Sequence, residues 1–394
     1  MKLYQNNYIC KYNHFYWHTF MIPFNVPFAS GSELESTAMA IKDQKLSANG
    51  HFTKQCQQFF RDHYGFKHSF LTTSCTAAIQ MVSIALDLQA GDEIIIPSYT
   101  FSSTPNPFLI AGATVRFADS EPQHPNVSLE SINALVTEKT KAIMVVHYGG
   151  TACDIKAIRS LCDQRGLLLI EDAAQCIDGY HNDKPLGSFG DFAVFSFHET
   201  KNIHCGEGGL LVINNSRYVD RCHTIWNYGT NKKAFLSGEV DSYEWTGIGL
   251  SFGLSELNAA YLYSQLQEVK TVTQHRKMLW KLYYDTLAPL AKAGKIRLPE
   301  GFSEESSYHT FYLCTLSRKQ YQALQQQLLT NFVLAVQHYY PLHESQFAKE
   351  QQMTDQLPNA HYFGQNLLRL PLYHKLTQED VAKICTLILD FFED

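Results

Sequence analysis

The sequence predicts an α/β fold built on a mainly parallel sheet, followed by a smaller α+β region. Between about residues 70 and 215, short apolar runs rich in Ile, Val and Phe alternate with longer amphipathic segments. Continuous apolar runs of this length are typical of strands buried on both faces, and the intervening segments are long enough to be helices. This alternation of strands and helices favours an α/β domain.

Five apolar runs are the predicted strands, and Gly, Asp or Pro residues bound them. They are Glu93–Pro97, Lys141–His147, Leu167–Glu171, Phe192–Phe197 and Gly209–Asn214. The segment Ser74–Leu88 is predicted to be a helix, because it begins with Ser and Thr residues and Gly91 follows its end.

The pattern changes from about residue 254. Leu254–Leu287 is rich in helix formers and has apolar residues at three- and four-residue spacing, which predicts one long helix. Beyond Pro299 we expect a strand at Thr310–Leu316 and a final helix near Glu379–Phe392. This second part of the chain is therefore predicted to be a smaller domain of mixed α and β structure.

A chain of 394 residues is longer than a single hydrophobic core usually supports. We expect a large domain over residues 21–265 and a small C-terminal domain over residues 266–394. Residues 1–20 are rich in aromatic residues and Asn and lack the apolar region of a signal peptide. They are predicted to be an extension, because Met21 opens a segment that reads as a natural start. This extension is predicted to be disordered.

The amino-acid composition limits the classes of function that the protein can have. Hydrophobic residues make up 45% of the chain and charged residues 18%, as in ordinary globular proteins. The net charge of −6, without a basic run, argues against nucleic-acid binding. No apolar stretch reaches the roughly 20 residues that would cross a membrane. The ten cysteines are scattered without a Cys-x-x-Cys pair, which favours a reducing, cytoplasmic location.

Asp172 and Lys201 are the residues most able to carry chemistry, because each follows a predicted strand. Ligands of open α/β sheets bind beyond the carboxyl ends of the strands, where these two side chains can meet. Burial lowers the pKa of a lysine and makes it a Schiff-base nucleophile. A buried carboxylate needs a cationic partner, such as the protonated pyridine nitrogen of pyridoxal 5′-phosphate (PLP). Taken singly, Asp172 could instead cap a helix and Lys201 could be a solvated loop residue.

Two further segments fit the same cofactor. Small and hydroxyl residues at Thr73–Ala78 open the predicted helix, whose free N–H groups suit a phosphate. Ser74 is also an ordinary helix cap, and both roles are compatible. Ser196 can add a hydroxyl group from the strand next to Lys201. Phe101, at another strand end, can stack on a flat ring, although such a residue is more often part of a core.

At this point the chain resembles a known family. The segments TSCTAA, GDEIIIPSYTF, VVHYGG, IEDAAQ, SFHETKN and GEGG are similar, in order and spacing, to those of the DegT-type sugar aminotransferases. The resemblance runs from about Met21 to the C-terminus. It implies a fold-type I PLP-dependent transferase with a mainly parallel seven-stranded sheet, and a homodimer whose active sites lie at the subunit interface.

The resemblance also implies roles for individual residues. Lys201 would form the Schiff base with PLP, and Asp172 would contact the pyridine nitrogen. Gln175 would lie near the phenolic oxygen of the cofactor, and Phe101 would stack on its ring. The residues expected around the phosphate are Ser74, Thr76, Ala77 and Ser196.

One segment departs from the family pattern. Many members have an Asn in a Gly-Tyr-Asn-Tyr-Arg segment that reaches the phosphate of the partner subunit. The matching stretch here is Gly249–Gly253, in which Ser251 replaces the Asn and no Arg follows. Ser251 can still donate one hydrogen bond. The neighbouring His204 and Cys205 receive no role, and no further ligands stand at metal spacing, so we expect no metal site.

The reaction implied is a transamination in which PLP and pyridoxamine phosphate (PMP) alternate, with L-glutamate as amino donor and a nucleotide-linked keto sugar as acceptor. Similarity to one member of the family implies dTDP-4-keto-6-deoxyglucose as the keto sugar. The residues themselves do not distinguish a keto group at C3 from one at C4, or a dTDP-linked sugar from a UDP- or GDP-linked one. His147, Tyr148, His338 and Tyr339 are the candidate contacts to the sugar or nucleotide.

Other classes of function remain as alternatives. A PMP-dependent sugar dehydratase would carry His in place of Lys201, and a PLP-binding protein without turnover would not need Asp172, Gln175 and Lys201 together. The sequence contains no Walker-type GKS/T motif, paired zinc motif or Gly-x-Ser-x-Gly elbow, so it offers no support for an NTPase, a zinc enzyme or a serine hydrolase.

Overall fold

The computed structural model describes residues 21–299, 303–353 and 355–393. The predicted extension, residues 1–20, lies outside the described residues. The strands are β1 (Ser69–Thr72), β2 (Glu93–Pro97), β3 (Thr114–Ala118), β4 (Thr140–Val146), β5 (Leu168–Asp172), β6 (Tyr180–His181), β7 (Lys184–Pro185), β8 (Phe192–Ser196), β9 (Gly209–Ile213), β10 (Phe311–Cys314), β11 (Val336–Gln337) and β12 (Leu367–Leu370).

Helices of five or more residues surround these strands. They are α1 (Glu33–Lys42), α2 (His51–Tyr64), α3 (Cys75–Ala85), α4 (Asn106–Ile110), α5 (Leu129–Leu135), α6 (Ile155–Arg165), α7 (Val219–Trp226), α8 (Lys232–Ser237), α9 (Glu256–Leu266), α10 (Val269–Lys292), α11 (Arg318–Thr330), α12 (Gln346–Glu350), α13 (Pro358–Asn366) and α14 (Gln378–Glu393).

A seven-stranded sheet in the order β1-β9-β8-β5-β4-β2-β3 forms the centre of the molecule. Its paired strands are parallel except at β9, which is antiparallel to both β8 and β1. The predicted α/β class with a mainly parallel sheet is therefore confirmed. Strands β2, β4, β5 and β8 all end at the same side of the sheet, which we call the carboxyl edge.

Local sequence patterns located five of the seven strands of the central sheet and the helix α3. The five predicted strands occur, with ends that shift by one residue in four of them. Ser74 caps α3, because its hydroxyl oxygen accepts the N–H of Ala77 at 3.1 Å. Strands β1 and β3 were missed, since β1 has only four residues and β3 begins with an exposed Thr114 and carries a half-buried Arg116.

The single long helix predicted over Leu254–Leu287 is two helices, α9 and α10, separated by Gln267 and Glu268. Helix α9 packs against α1 and α2, whereas α10 packs against α14. Val269 and Val272 at the start of α10 still pack in the core of α9, and from Leu279 onward α10 packs in the core of the small sheet. The domain boundary at residues 265 and 266 stays a prediction, and it falls at the end of α9.

A three-stranded antiparallel sheet, β10-β12-β11, forms the second layer. Leu368 and Leu370 on β12 pack in a core with residues of α10, α11 and α14. Leu367 joins instead the core of the central sheet, together with Tyr312 of β10. Because side chains alternate along a strand, Arg369 lies on the same face as Leu367. One face of the small sheet is thus turned towards the large sheet.

Several kinds of site do not occur among the residues that the structure describes. Their nine cysteines are free thiols. No group of three His, Cys, Asp or Glu side chains is placed to hold a metal ion within the described ranges. None of the described helices is long and apolar enough to cross a membrane.

The carboxylate of Glu171, at the end of β5, holds the carboxyl edge together. Both of its oxygens are buried, and they accept hydrogen bonds from the backbone N–H groups of Gly187, Phe189 and Gly190 at 2.6 to 2.9 Å. Nε2 of His147, which follows β4, lies 3.0 Å from the same carboxylate. One side chain therefore ties the end of β4, the end of β5 and the loop that enters β8.

Replacing this carboxylate tests its contribution to stability. We expect Glu171→Ala to lower the free energy of unfolding by about 3 to 5 kcal/mol, because it leaves several buried donors without an acceptor. Urea denaturation measures the change. The control Glu138→Ala removes an exposed carboxylate and should change the value by no more than about 0.5 kcal/mol. Equal effects of the two substitutions would contradict this account of Glu171.

Candidate active site

Adjacent strands bring Asp172 and Lys201 to one place. Strands β5 and β8 are parallel neighbours, and Asp172 pairs in register with Val194. Two residues later β8 ends at Ser196, and the chain turns so that the N–H of Lys201 donates to the carbonyl oxygen of His198 at 2.9 Å. The two residues predicted from separate strand ends therefore lie at the same point of the carboxyl edge.

The carboxylate of Asp172 is buried and has few donors. The N–H of Ala174 donates to Oδ1 at 3.0 Å, and the hydroxyl of Thr104 donates to Oδ2 at 3.4 Å. Burial raises the pKa of Asp172, while the N–H of Ala174 and the charge of Lys201 act in the opposite direction. A buried carboxylate in this setting remains ionised more easily when a cation binds next to it.

Lys201 has the environment of a reactive amine. Burial lowers its pKa, and the nearby Arg369 adds to this effect, whereas Cys75 and Asp172 oppose it. Nζ of Lys201 makes no hydrogen bond or ion pair with any residue in the described part of the chain. A desolvated lysine without a fixed partner can provide the neutral amine that a Schiff base requires.

The residues predicted around the phosphate surround the start of α3. The first N–H groups of this helix have no partner within the helix, and they carry the positive end of its dipole. Ser196 pairs with Gly209 of β9. A Cβ atom on Gly209 would lie 2.5 Å from the backbone nitrogen of Cys75, so only glycine permits this close approach. The pairing places Ser196 beside the capped helix start at Ser74, and Thr76 and Ala77 are half-buried there.

Gln175 links two loops of the carboxyl edge. Its Oε1 accepts the N–H of Gly149 at 2.7 Å, and its Nε2 donates to the hydroxyl oxygen of Tyr339 at 3.0 Å. The ring of Tyr339 lies 6.2 Å from the ring of Phe101, which is 58% exposed. Phe101 is therefore not part of the core, and its exposed face can stack on a planar ligand.

The structure separates the four residues predicted to contact substrate. His338 and Tyr339 are half-buried beside Gln175. Tyr148 is buried, and its hydroxyl donates to the carbonyl oxygen of His338 at 2.8 Å. His147 is fully buried, with Nε2 against Glu171 and Nδ1 accepting the N–H of Cys153 at 3.2 Å. Since both ring nitrogens are engaged, His147 is not placed to contact a substrate, in contrast to the prediction.

Ser251 lies apart from the other predicted residues. It is exposed, and its backbone forms a bridge with Asn227. The next residue, Phe252, is buried, and its carbonyl oxygen accepts the N–H of Thr73 at 2.9 Å. Ser251 therefore lies on the outer surface of the segment whose Phe252 is hydrogen-bonded to the loop before α3.

Some residues of this region were missed in the sequence. Thr104 contacts Asp172, and Asn202 lies directly after Lys201, where its Oδ1 meets Nδ1 of His309 at 2.9 Å. Arg369 is close enough to influence the pKa of Lys201. An Arg within the apolar run Leu367–Leu370 was a detectable signal, because a charge inside a buried strand requires a partner. His309 offered no comparable signal.

These residues fit PLP. Asp172 offers a buried carboxylate for a pyridinium nitrogen, and Lys201 offers a free amine for the aldehyde. The start of α3 offers unsatisfied N–H groups for a phosphate, and Phe101 offers an exposed ring. A fold-type I α/β domain with this set of side chains at its carboxyl edge defines the class of PLP-dependent transferases.

Comparison with known proteins gives the family. Residues 29–389 match the model of the DegT/DnrJ/EryC1/StrS aminotransferase family. The chain belongs to this family and is a PLP-dependent sugar aminotransferase. The expectations of fold class, enzyme class and cofactor are thereby confirmed.

Individual relatives cover almost the whole chain. The GDP-perosamine synthase of Vibrio cholerae is 29% identical over 379 residues, which are 94% of this chain and 99% of that protein. The aminotransferase TlmJ from Streptoalloteichus hindustanus superimposes with a TM-score of 0.87 at 24% identity, covering 95% of this chain and 99% of TlmJ. The PLP form of the sugar aminotransferase Spr1654 from Streptococcus pneumoniae gives a TM-score of 0.87 at 22% identity, with the same two coverages.

The approach of β9 to α3 can be tested by one methyl group. We expect Gly209→Ala to raise the dissociation constant of PLP by about tenfold or more, equivalent to ~1.4 kcal/mol, because the start of α3 must move. Absorbance titration of the cofactor-free protein with PLP measures this constant. In the control Ser160→Ala, at an exposed position of α6 away from the carboxyl edge, the affinity should be unchanged. Unaltered PLP binding by Gly209→Ala would contradict the assigned phosphate position.

Proposed function

We propose that the protein transfers the amino group of L-glutamate to C4 of a nucleotide-linked 4-keto-6-deoxy sugar, with dTDP-4-keto-6-deoxyglucose as the first candidate. The product would then be dTDP-4-amino-4,6-dideoxygalactose, a precursor of enterobacterial common antigen. The support for this substrate is that three segments, SFHETKN, Tyr283–Pro299 and Leu368–Tyr373, are similar in sequence to those of an aminotransferase that acts on it. The relative named GDP-perosamine synthase makes a GDP-linked 4-keto sugar the second candidate.

The observation that carries the proposed transamination is the meeting of Asp172 and Lys201 at the ends of two adjacent parallel strands. A dehydratase of the related type would have His in place of Lys201. A lysine whose pKa is lowered by burial can also accept and return a proton near neutral pH. Both halves of a transamination require such a base beside the carbon that loses and gains the proton.

Each side chain then has a proposed task. Bound PLP supplies an electron sink for the electron pair that is released when the substrate carbon loses its proton. Asp172 would keep the pyridine nitrogen of bound PLP protonated, and Nζ of Lys201 would hold and return the proton that leaves the substrate carbon. Gln175, fixed between Gly149 and Tyr339, donates to or accepts from the phenolic oxygen. Ping-pong kinetics follow from this order of events.

His338 and Tyr339 remain the proposed contacts to the sugar nucleotide. Tyr148 positions them, because its hydroxyl holds the carbonyl oxygen of His338. His147 is assigned a structural task in the Glu171 network. The phosphate is held by the start of α3, with Ser74, Thr76 and Ala77, and by Ser196.

We also propose a homodimer in which Ser251 contacts the cofactor phosphate of the partner. The support is an exposed apolar surface next to Ser251. Its exposed large side chains are Tyr228, Phe235, Leu236, Tyr243, Trp245, Ile248 and Leu250. A groove of about 670 Å³ between this segment and helices α3, α4 and α7 continues the surface. Apolar surfaces of this extent are typical of protein–protein interfaces.

A cytoplasmic location stays a prediction.

Spectroscopy of the two half-reactions tests the function. In the wild type, L-glutamate should convert the absorbance band of lysine-bound PLP into that of PMP, because the amino group moves to the cofactor. Candidate nucleotide keto sugars, added one at a time, should restore the first band only when the sugar is a substrate. Lys201→Ala should lack the lysine-bound band and should show no catalytic conversion.

Three outcomes separate the alternatives. Recovery with the dTDP-linked 4-keto sugar supports the first substrate, and recovery only with a GDP-linked sugar supports the second. A wild type that binds PLP but does not respond to any amino donor would exclude the proposed transamination and leave a PLP-binding protein. The control Lys156→Ala, at an exposed position of α6, should behave as the wild type.

The lowered pKa of Lys201 has its own consequence. Because burial disfavours the charged amine, the neutral form of Lys201 is present at lower pH than that of an ordinary lysine. The rate of PLP attachment to the cofactor-free protein should therefore rise with pH to a midpoint below that of exposed lysines. Borohydride trapping followed by peptide mass spectrometry measures Lys201 and the exposed Lys42 in one sample. Coincident midpoints would contradict the desolvated state of Lys201.

A further inference from the structure

Arg369 is a buried arginine at the junction of the two sheets. It lies on β12 opposite Tyr312 and on the face of the small sheet that Leu367 turns towards the large sheet. Only 5% of its surface is exposed. Its Nη2 lies 3.4 Å from Nε2 of His309, and Nδ1 of His309 lies 2.9 Å from Oδ1 of Asn202, the residue after Lys201. Arg369 is therefore a residue of the small sheet that reaches the region of the proposed Schiff base.

Among the residues that the structure describes, no anionic side chain pairs with the guanidinium group of Arg369. Its Nη2 is 3.3 Å from the carbonyl oxygen of His309 and 3.4 Å from Nε2 of the same residue. Its Cζ lies 4.5 Å from the centre of the Phe24 ring. Nε is buried without a hydrogen bond, and no carboxylate of the described residues forms an ion pair with this guanidinium. Burial accordingly lowers the pKa of Arg369.

The surroundings add further positive charge. Arg276 is also buried, and it donates to the carbonyl oxygens of Tyr308 and His309 rather than to a carboxylate. Besides burial, the charge of Arg369 lowers the pKa of both Arg276 and Lys201. Unpaired buried cations cost free energy, and neither Arg276 nor Arg369 has a carboxylate partner among the described residues. This part of the site is therefore built for a ligand that brings negative charge.

We propose that Arg369 binds a carboxylate of the amino donor. This inference rests on the proposed function, because it assigns a residue to the proposed donor L-glutamate. The planar guanidinium matches the two oxygens of a carboxylate, and Nε and the Nη atoms provide parallel donors. An amino acid whose nitrogen reacts beside Lys201 carries its α-carboxylate on the same carbon atom, so the distance to the cofactor is short. The keto sugar has no carboxylate, and thus Arg369 distinguishes the donor from the acceptor.

Replacement of Arg369 by methionine tests the assignment with little change in volume. In Arg369→Met, the second-order rate constant for conversion by L-glutamate should fall about 10- to 100-fold, the loss expected for charge-assisted hydrogen bonds. The half-reaction with the nucleotide amino sugar should change by no more than about twofold, less than ~0.5 kcal/mol. Arg369→Lys, which retains the charge without the planar group, should be intermediate. The matched control Arg297→Met removes an exposed arginine and should leave both half-reactions unchanged.

A binding measurement separates this inference from the proposed transamination. Calorimetry with glutarate, a dicarboxylate that cannot react, should show binding to the PLP-loaded wild type and about 10-fold or weaker binding to Arg369→Met. Equal glutarate binding by both proteins would overturn the inference even if turnover is normal. Normal glutarate binding together with absent turnover in the wild type would contradict only the proposed function.

Stability, cofactor affinity and the two half-reactions test three other roles of Arg369. Cofactor-free Arg369→Met should be at least as resistant to urea as the wild type, because the substitution removes an unpaired buried charge. A clear loss of stability, together with equal losses in both half-reactions, would indicate a structural role. A loss of PLP affinity would indicate that Arg369 binds the cofactor phosphate, and a loss confined to the sugar half-reaction would indicate a diphosphate contact. Each of these results would overturn the proposal.

Discussion

The arrangement of the site depends on one buried carboxylate, that of Glu171. Its oxygens accept three backbone N–H groups from the loop before β8 and contact the imidazole of His147 after β4. Glu171 and Asp172 are consecutive residues of β5, so their side chains point to opposite faces. The network below the sheet therefore fixes the backbone from which Asp172 projects above it. The ends of β4 and β5 and the loop that enters β8 keep their relative positions because all three meet at this carboxylate.

On the face of the sheet from which Asp172 projects, the buried polar groups have fewer partners than Glu171 has. Glu171 has four partners, about as many as a carboxylate can accept, whereas Asp172 has two donors, Nζ of Lys201 has no partner among the described residues, and Nε of Arg369 is buried without a hydrogen bond. Unsatisfied buried groups reduce the stability of a folded protein. In the function proposed above, ligands complete them: a pyridinium next to Asp172, an aldehyde at Lys201 and a carboxylate at Arg369. The chain thus places a fully satisfied polar network directly beneath an incomplete one.

Much of the fold and part of the site were predictable from sequence. Apolar runs and their boundaries located five strands, and the strand ends identified Asp172, Ser196 and Lys201. Whether a residue after a strand faces the ligand depends on the side of the sheet to which its side chain points. The sequence did not predict this side, and His147 is the example. It follows β4 as directly as Asp172 ends β5, yet it points to Glu171 on the other face. Arg369 was also missed, since it lies 168 positions after Lys201 in the numbering.

The sequence by itself determined five strands of the central sheet, the helix α3 and which reactive side chains stand at strand ends. Periodicity, helix caps and Gly or Pro boundaries depend on near neighbours in the chain, so they can be recognised locally. The tertiary structure alone decided that β5 lies beside β8, that Gly209 packs on the start of α3, and that the small sheet turns Arg369 inwards. These features depend on the burial of surfaces from distant segments, and no local pattern records which surfaces will meet.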